Sequence, residues 1–144
     1  MTILAADGVF KVFGRRPGEA VRQLRAGASR DDVRALGTPA VIDASFTVEA
    51  GETFVVMGLS GSGKSTLLRM LNGLWRPTAG TIRLGDADLG SISARDLRTL
   101  RQERVSMVFQ HFALLPHRTI LENAAYALAV RGVDGAERRR RAGE

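Results

Sequence analysis

Apolar residues recur along the chain in two patterns, with a period of two in short segments and a period near 3.6 in longer ones. The short segments are rich in Val, Ile and Phe, and they predict β-strands over residues 9–13, 41–49, 53–57, 81–84 and 105–109. In the segment 9–13, apolar and polar positions alternate as in an edge strand. The helical period predicts α-helices over residues 64–72, 93–104 and 119–132. Strands that alternate with helices in this order indicate an α/β fold.

A polar, arginine-rich segment separates the first two predicted strands. Residues 14–40 contain two short helical patterns. The first covers residues 19–26 and has Gly27 as its stop signal; the second covers residues 31–37 and starts with two aspartates that suit an N-cap and first turn. We therefore predict a helical insertion between the strands.

Two of the longer predicted helices carry local signals of how they begin and pack. Leu67, Leu68 and Leu71 form an apolar stripe that predicts packing of the first helix against a sheet. Thr119 and Glu122 have the spacing of a capping box, in which each side chain satisfies a backbone amide of the other residue. The capping box predicts a helix start at Thr119.

Length and composition set broad limits on the kind of protein. A chain of 144 residues is one domain or part of a larger one. Hydrophobic residues make up 44% and charged residues 25%, which is typical of a soluble globular protein. No apolar run approaches the length of a membrane span, and the N-terminus lacks a signal-peptide pattern. The absence of cysteine excludes disulfides and thiolate metal sites, and two histidines alone cannot build a metal cage.

The net charge of +6 is almost entirely due to arginine, with four consecutive arginines at residues 138–141. Because no aromatic residues lie between them, a solvated helix face is favoured over a platform on which bases stack. We therefore expect no nucleic-acid partner. A basic nucleic-acid-binding module is the alternative, and its binding would weaken with salt.

The most informative motif is the stretch from Gly58 to Ser65, which fits G-x-x-x-x-G-K-[ST]. It follows a predicted strand and opens a predicted helix, the setting in which backbone amides surround nucleotide phosphates. An unliganded glycine-rich turn is the alternative. The residues expected to bind the phosphates are Gly58, Ser60, Gly61, Ser62, Gly63, Lys64, Ser65 and Thr66.

Two side chains of this motif have distinct expected roles. Lys64 is expected to direct its positive charge toward the β- and γ-phosphates and so to take part in catalysis. The hydroxyl of Ser65 is expected to ligate a Mg²⁺ ion that bridges the same phosphates. The predicted cofactors are therefore ATP and Mg²⁺.

The order of these motifs resembles the N-terminal half of an ATP-binding cassette (ABC) ATPase. The phosphate loop, the segment 77–85 and the pair of segments 108–110 and 114–116 recur in that family in this order. Within it, residues 58–72 and 109–119 and the helical insertion are most similar to ATPase subunits of glycine betaine/proline importers.

The resemblance covers residues 1–144, yet only about half of a cassette. It implies an incomplete P-loop NTPase-like core with an antiparallel β edge, the insertion at 14–40, and the start of a helical subdomain at 111–144. The C-terminal half is absent, so a truncated product or fragment is expected, with an unpaired sheet edge and poor solubility.

The resemblance also implies roles for three further sites. Phe13 matches the aromatic residue that stacks on adenine, although a core phenylalanine at a strand end is the alternative. Gln110 matches the glutamine that reaches the Mg²⁺ ion and the attacking water, as a metal ligand and catalytic residue. The loop around Phe112–Pro116 matches the surface that docks the permease, although core packing is the alternative for any one of its residues.

The implied function is ATP binding and hydrolysis coupled to import of glycine betaine, proline or a related quaternary amine. The partners implied are a transmembrane permease, a second ATPase subunit in a homodimer and, indirectly, a binding protein, with the chain peripheral on the cytoplasmic face of the membrane. The sequence lacks the signature motif, the acidic Walker B pair and the switch histidine, so hydrolysis by this chain is left open.

Several alternatives to this function remain. The chain could serve another importer, such as one for amino acids, or be a truncated nucleotide-binding remnant. An unrelated P-loop kinase or GTPase is the third possibility, although the guanine-selective Asn-Lys-x-Asp motif is absent.

Overall fold

The computed structural model describes residues 1–110 and 113–144. They form two compact units, Met1–Leu97 and Arg98–Glu144. Within the described residues, no helix combines the length and the apolar character that crossing a membrane requires.

The first unit is built on an antiparallel sheet of four strands in the order β2-β1-β3-β4. The strands are β1 (Thr2–Phe13), β2 (Thr38–Glu49), β3 (Ala79–Leu84) and β4 (Ala87–Asp88). The prediction of an edge strand at residues 9–13 was wrong, because β1 pairs with β2 on one side and with β3 on the other. The two-residue turn Gly85-Asp86 joins β3 to β4. Strand β4 was not predicted from the sequence pattern.

A β-bulge in β1 brings two glycines together. The register against β3 shifts between Asp7 and Phe10, and Gly8 in this bulge has a φ of +52°. Gly80 of β3 lies so close that a Cβ built on it would be 2.1 Å from the Gly8 carbonyl oxygen. Only the lack of a side chain at Gly80 lets the two strands approach in this way.

The insertion between β1 and β2 forms a small core of its own. Helix α1 (Pro17–Arg25) confirms the first helical pattern. The second pattern was wrong, because residues 30–36 form successive turns, with Val33 accepting bonds from two amides, instead of a helix. The buried residues that the insertion shares with β1 are Phe10, Val12, Ala20, Val21, Val33 and Leu36.

Two predicted strands are absent from the sheet. Residues 53–57 and 105–109 have no strand pairing, and Met57 and Val108 are 87% and 97% exposed. A buried parallel strand needs hydrogen-bonded neighbours, and neither segment has one among the described residues. Phe54 instead stacks on Phe46 of β2, with ring centroids 4.7 Å apart.

Helix α2 (Lys64–Leu71) follows the glycine-rich loop, as predicted. Its packing differs from the predicted stripe, because Leu67 and Met70 are buried whereas Leu68 is exposed. Helix α3 (Ala94–Arg104) confirms the next helical pattern, and its buried Leu97 lies against Gly73 just after α2.

The second unit continues with three short helices, α4 (Ile120–Ala124), α5 (Tyr126–Val130) and α6 (Gly135–Gly143). The capping box at the start of α4 is confirmed: the Thr119 hydroxyl accepts from the Glu122 amide at 3.2 Å, and the Glu122 carboxylate accepts from the Thr119 amide at 2.8 Å. The single helix predicted over residues 119–132 is therefore two helices that meet at Ala125.

Helix α6 carries the four consecutive arginines, and two of them are ion-paired. The Glu137 carboxylate accepts from Arg140 at 2.8 Å and from Arg141 at 2.6 Å, and Arg140 also reaches Glu144 at 2.6 Å. These hydrogen bonds, from Arg140 and then Arg141, lower the pKa of Glu137 from 4.5 to about 2.

The close approach at Gly80 predicts a large loss of stability on substitution. Gly80→Ala and Gly51→Ala both place a side chain at positive φ, but a Cβ at Gly51 would meet nothing within 4 Å. We expect Gly80→Ala to lower the free energy of unfolding by about 2 kcal/mol more than Gly51→Ala does. Urea denaturation followed by the fluorescence of Trp75 measures both, and equal losses would contradict the strand contact.

The ion pairs of Glu137 predict a pH dependence of α6. Because the folded-state pKa of Glu137 is lowered, its stabilising effect is present above pH 4.5 and is lost as the pH falls toward 2. We expect circular dichroism to show a larger loss of helix between these pH values in the wild type than in Glu137→Gln. Identical curves for the two proteins would show that the carboxylate contributes nothing to α6.

Candidate functional site

The glycine-rich motif forms an exposed loop between residue 57 and α2. It turns at Ser60 and Gly61, where the Ser62 amide donates to the Leu59 carbonyl at 3.2 Å. Gly61 has a φ of +76°, in the left-handed region. The loop therefore curls back before the helix begins, with its backbone open to solvent.

Gly63 fixes the end of this loop against the sheet. Its φ is +96°, and a Cβ built on it would lie 2.0 Å from the carbonyl oxygen of Ala40 in β2. At Gly58 a Cβ would meet only the Ser62 side chain, with its hydroxyl oxygen at 2.8 Å, and that side chain can rotate away. The backbone contact therefore explains the need for glycine at Gly63.

The side chain of Lys64 folds over the loop that precedes it. Its ammonium group donates to the carbonyl oxygens of Gly58 at 2.8 Å and Leu59 at 2.6 Å, and lies 3.4 Å from the Ser62 hydroxyl. A lysine ammonium has three donors, so all of them point into the loop. The positive charge is therefore held where the backbone curls.

The N-terminus of α2 adds further donors. The amides of Lys64, Ser65 and Thr66 have no hydrogen-bond partner within residues 1–110 and 113–144. No acidic residue lies in the first turn of α2, and Gly63 offers no capping side chain. The positive end of the helix is thus neutralised neither by a cap nor by a carboxylate.

These features fit a polyphosphate. The loop combines free amides, a lysine ammonium and glycines whose backbone a ligand can approach, and residues 58–66 contain no carboxylate that would repel an anion. The described residues contain no cluster of three or more acidic or histidine side chains that could hold a metal ion. Ser65 at the start of α2 is exposed and carries a hydroxyl, an oxygen of the kind that Mg²⁺ prefers.

Phe13 lies at the end of β1 and is 40% exposed, which leaves part of its ring open to a ligand. It pairs in register with Thr38, two residues before Ala40, against which Gly63 packs. Strand β2 thus connects the backbone of Phe13 to the glycine-rich loop over a distance of about 7 Å along the strand. Trp75 lies beside Phe13, with ring centroids 5.2 Å apart and an interplanar angle of 78°.

The other predicted site residues belong to the second unit. Gln110 is exposed and lies at a bend, and Phe112 lies outside the described residues. In the predicted docking loop, Leu114 is 63% exposed. The side chain of Asn123 holds the loop by accepting from the Leu115 amide at 2.7 Å and donating to the Thr119 carbonyl at 2.9 Å.

The loop at residues 58–65 contacts β2 through Gly63 and leads into α2. It is a phosphate-binding loop of the G-x-x-x-x-G-K-[ST] class. A family model described as ABC transporter matches residues 41–143. Since this match covers more than half of the chain, the chain belongs to the ABC transporter family.

Two curated relatives match nearly all of the chain. It is 48% identical over 141 residues to the glycine betaine transport ATP-binding protein OpuAA of Bacillus subtilis, covering 96% of this chain and 34% of that protein. It is 42% identical over 144 residues to the glycine betaine/proline betaine transport system ATP-binding protein ProV of Escherichia coli, covering 96% and 35%. The resemblance to glycine betaine/proline ATPase subunits is confirmed, and the chain spans about a third of these relatives.

A solved structure confirms the predicted fold class. A dimeric structure of the ATP-binding cassette MJ0796, in a post-hydrolysis state bound to ADP and Pi, matches with a TM-score of 0.77 at 27% identity. The match covers 96% of this chain and 53% of that chain. The α/β ATPase core is therefore present in incomplete form.

Three residues of the site and docking loop escaped the sequence analysis. Ala40 contributes a backbone carbonyl, which no motif reveals. Trp75 contacts Phe13, which only folding brings near, although the single tryptophan of the chain was a visible signal. Asn123 bonds residues four to eight positions before it, but no motif marks this role.

The contact between Gly63 and Ala40 predicts a loss of anion binding. Gly63→Ala would force the loop away from β2, whereas a Cβ at Gly61 would meet nothing within 4 Å. We expect Gly63→Ala to weaken binding of inorganic triphosphate by about tenfold or more and Gly61→Ala to weaken it less. Isothermal titration calorimetry measures both, with near-ultraviolet circular dichroism as the control for folding. Equal effects would contradict the role given to the sheet contact.

Proposed function

We propose that this chain binds MgATP as the phosphate-binding part of the ATPase subunit of an importer for glycine betaine, proline or a related quaternary amine. The observation that carries the proposal is the loop whose Gly58 and Leu59 carbonyls hold the Lys64 ammonium and which leads directly into three helix amides, those of Lys64, Ser65 and Thr66, that lack a partner among the described residues. Three donors and one positive charge at a helix N-terminus match the β- and γ-phosphates of a nucleotide.

Each site residue then has a defined task. The amides of Gly61 and Gly63 and the hydroxyls of Ser60, Ser62 and Thr66 would line the phosphates. Lys64 would exchange a carbonyl partner for a phosphate oxygen, since its ammonium already lies over the loop. Ser65 would ligate Mg²⁺, which when bound neutralises phosphate charge.

Two further residues complete the nucleotide site in this proposal. Phe13, which is 40% exposed, would stack its ring on the adenine, because an aromatic ring holds a flat base by π-contact. Gln110 would be the second protein ligand of Mg²⁺ and would orient the attacking water. Its exposed position at a bend leaves its amide group accessible for both tasks.

The proposed membrane partner is a permease that binds the loop around Phe112–Pro116, of which the structure describes residues 113–116. Leu114 presents an exposed apolar side chain, and Asn123 fixes the backbone on which it is carried. An exposed apolar residue on a rigid loop is typical of a protein-binding surface. The chain would thereby lie on the cytoplasmic face of the membrane, paired with a second ATPase subunit, with a substrate-binding protein as an indirect partner.

The proposed solute rests on the glycine betaine relatives. Their similarity extends over 96% of the chain and so includes the insertion that carries α1. The solute itself would contact the permease and the binding protein. An importer of another class, such as one for amino acids, would use the same phosphate loop.

The proposal is tested by nucleotide binding to the 144-residue chain. We expect Lys64→Ala to weaken MgATP binding by about tenfold or more, because it removes the charge that faces the phosphates. Arg22→Ala removes one charge from the exposed face of α1 and serves as the matched control. Equilibrium dialysis with radiolabelled ATP measures all three proteins.

Two results would contradict the proposal. The first is a wild-type chain that retains no MgATP although circular dichroism shows it folded. The second is equal affinity for MgATP in the wild type and in Lys64→Ala. Binding is measured instead of turnover because residues 1–144 contain the phosphate loop without the acidic pair and signature motif.

A further inference from the structure

Phe13 belongs to a group of two aromatic rings and two cations in the first unit. The Phe13 and Trp75 rings meet almost perpendicularly, at 78° and 5.2 Å between centroids. The Lys11 ammonium lies over the Phe13 ring at 5.1 Å from its centroid, and the Arg69 guanidinium lies 4.9 Å from the centroid of Trp75. Both edge-to-face and cation–π contacts are directional, so this group restrains the orientation of each ring.

The backbone that carries Trp75 is tied to the end of α2. The Trp75 amide donates to the Arg69 carbonyl at 3.0 Å, and the Leu74 amide donates to the same oxygen at 2.9 Å. Asn72 caps the turn by accepting from the Leu74 amide at 3.1 Å. A shift of the Trp75 backbone would therefore break its hydrogen bond to the last turn of α2.

The backbone that carries Phe13 is held equally closely. A Cβ on Gly37 would lie 2.6 Å from the Phe13 carbonyl oxygen, so the two chain segments cross in contact. Thr78 joins the neighbouring residue of β1 to the loop after α2, because the Val12 amide donates to its hydroxyl at 3.0 Å. Lys11 completes the connection by donating to the Arg76 carbonyl at 2.7 Å.

With both backbones fixed, rotation of the Phe13 ring is the remaining freedom. A phenylalanine that is 40% exposed at a strand end would otherwise sample several rotamers. Stacking on a base requires one of them, and a ring held there beforehand loses less entropy on binding. We propose that Trp75 is a positioning residue for the adenine base, holding the Phe13 ring in the orientation that stacks. This inference rests on the proposed function.

Helix α2 connects the phosphate loop to the backbone that carries Trp75. Its first residue, Lys64, lies in the phosphate loop, and its last turn holds Trp75. Eight helical residues separate the phosphate end from the ring-orienting end by about 12 Å. One rigid element thus sets the spacing between the group that binds phosphate and the group that orients the base-binding ring.

Binding of MgATP and of magnesium triphosphate, which lacks a base, distinguishes this role from a structural one. We expect Trp75→Leu to weaken MgATP binding by about three- to tenfold while triphosphate binding stays unchanged, and Trp75→Phe to retain most of the affinity. Leu74→Ala, which truncates an exposed neighbour, should change neither affinity. In a Phe13→Leu background, Trp75→Leu should have no further effect on MgATP binding.

The fluorescence of Trp75, the single tryptophan, gives a second readout. We expect its emission in the wild type to change with MgATP and not with magnesium triphosphate, and we expect the change to be lost in Phe13→Leu. Equal weakening of both ligands by Trp75→Leu would overturn the inference in favour of a structural role. So would full MgATP affinity in Trp75→Leu.

The MgATP affinities of Phe13→Leu and Trp75→Leu distinguish failure of the proposed function from failure of the positioning role. If Phe13→Leu leaves MgATP affinity unchanged, the base does not stack on Phe13, and the inference falls with that part of the proposal. If Phe13→Leu weakens MgATP binding and Trp75→Leu does not, stacking stands and the positioning role alone is wrong. A folded wild type that binds neither ligand would overturn both.

Discussion

The contact between Gly63 and the Ala40 carbonyl is the constraint on which the phosphate loop depends. A Cβ at Gly63 would lie 2.0 Å from that oxygen, so the loop can reach the sheet only through a residue without a side chain. From this point α2 begins, its first amides are left free, and Lys64 folds back over the loop. Two residues before Ala40 in the same strand, Thr38 pairs with Phe13 of β1. Strand β2 thus contacts both the glycine-rich loop, at Ala40, and the end of β1, at Thr38.

The second unit is stabilised largely by polar contacts close in sequence. Thr119 and Glu122 cap one helix, Asp134 caps another, and Glu137 pairs with the arginines that follow it. Asn123 extends the same principle to the loop before α4, because its side chain accepts from one backbone amide and donates to three backbone carbonyls there. Such contacts are exposed and depend on charge, so pH affects them more than it affects the apolar core of the first unit.

Elements whose contacts are local in sequence were predicted correctly, whereas elements that depend on distant partners were not. The capping box was predicted correctly because its two residues lie three positions apart, and the helix that follows the glycine-rich loop begins at Lys64 as predicted. The strands at residues 53–57 and 105–109 were predicted from apolar composition, but a strand exists only when another backbone pairs with it. Residues 31–37 have helical spacing, yet burial of Val33 and Leu36 is achieved by turns.

Features that depend on neighbouring residues could therefore be predicted from the sequence alone. The order of glycines, Lys64 and Ser65 specifies a phosphate-binding loop, and the similarity of the surrounding segments specifies the ABC transporter family. Contacts between distant residues required the folded chain: Gly63 against Ala40, Trp75 against Phe13 and the central position of β1. The physical reason for this difference is that the type of a residue limits only the kinds of contact that its side chain can make. Which partner it meets depends on how loops and bulges bring separate strands together.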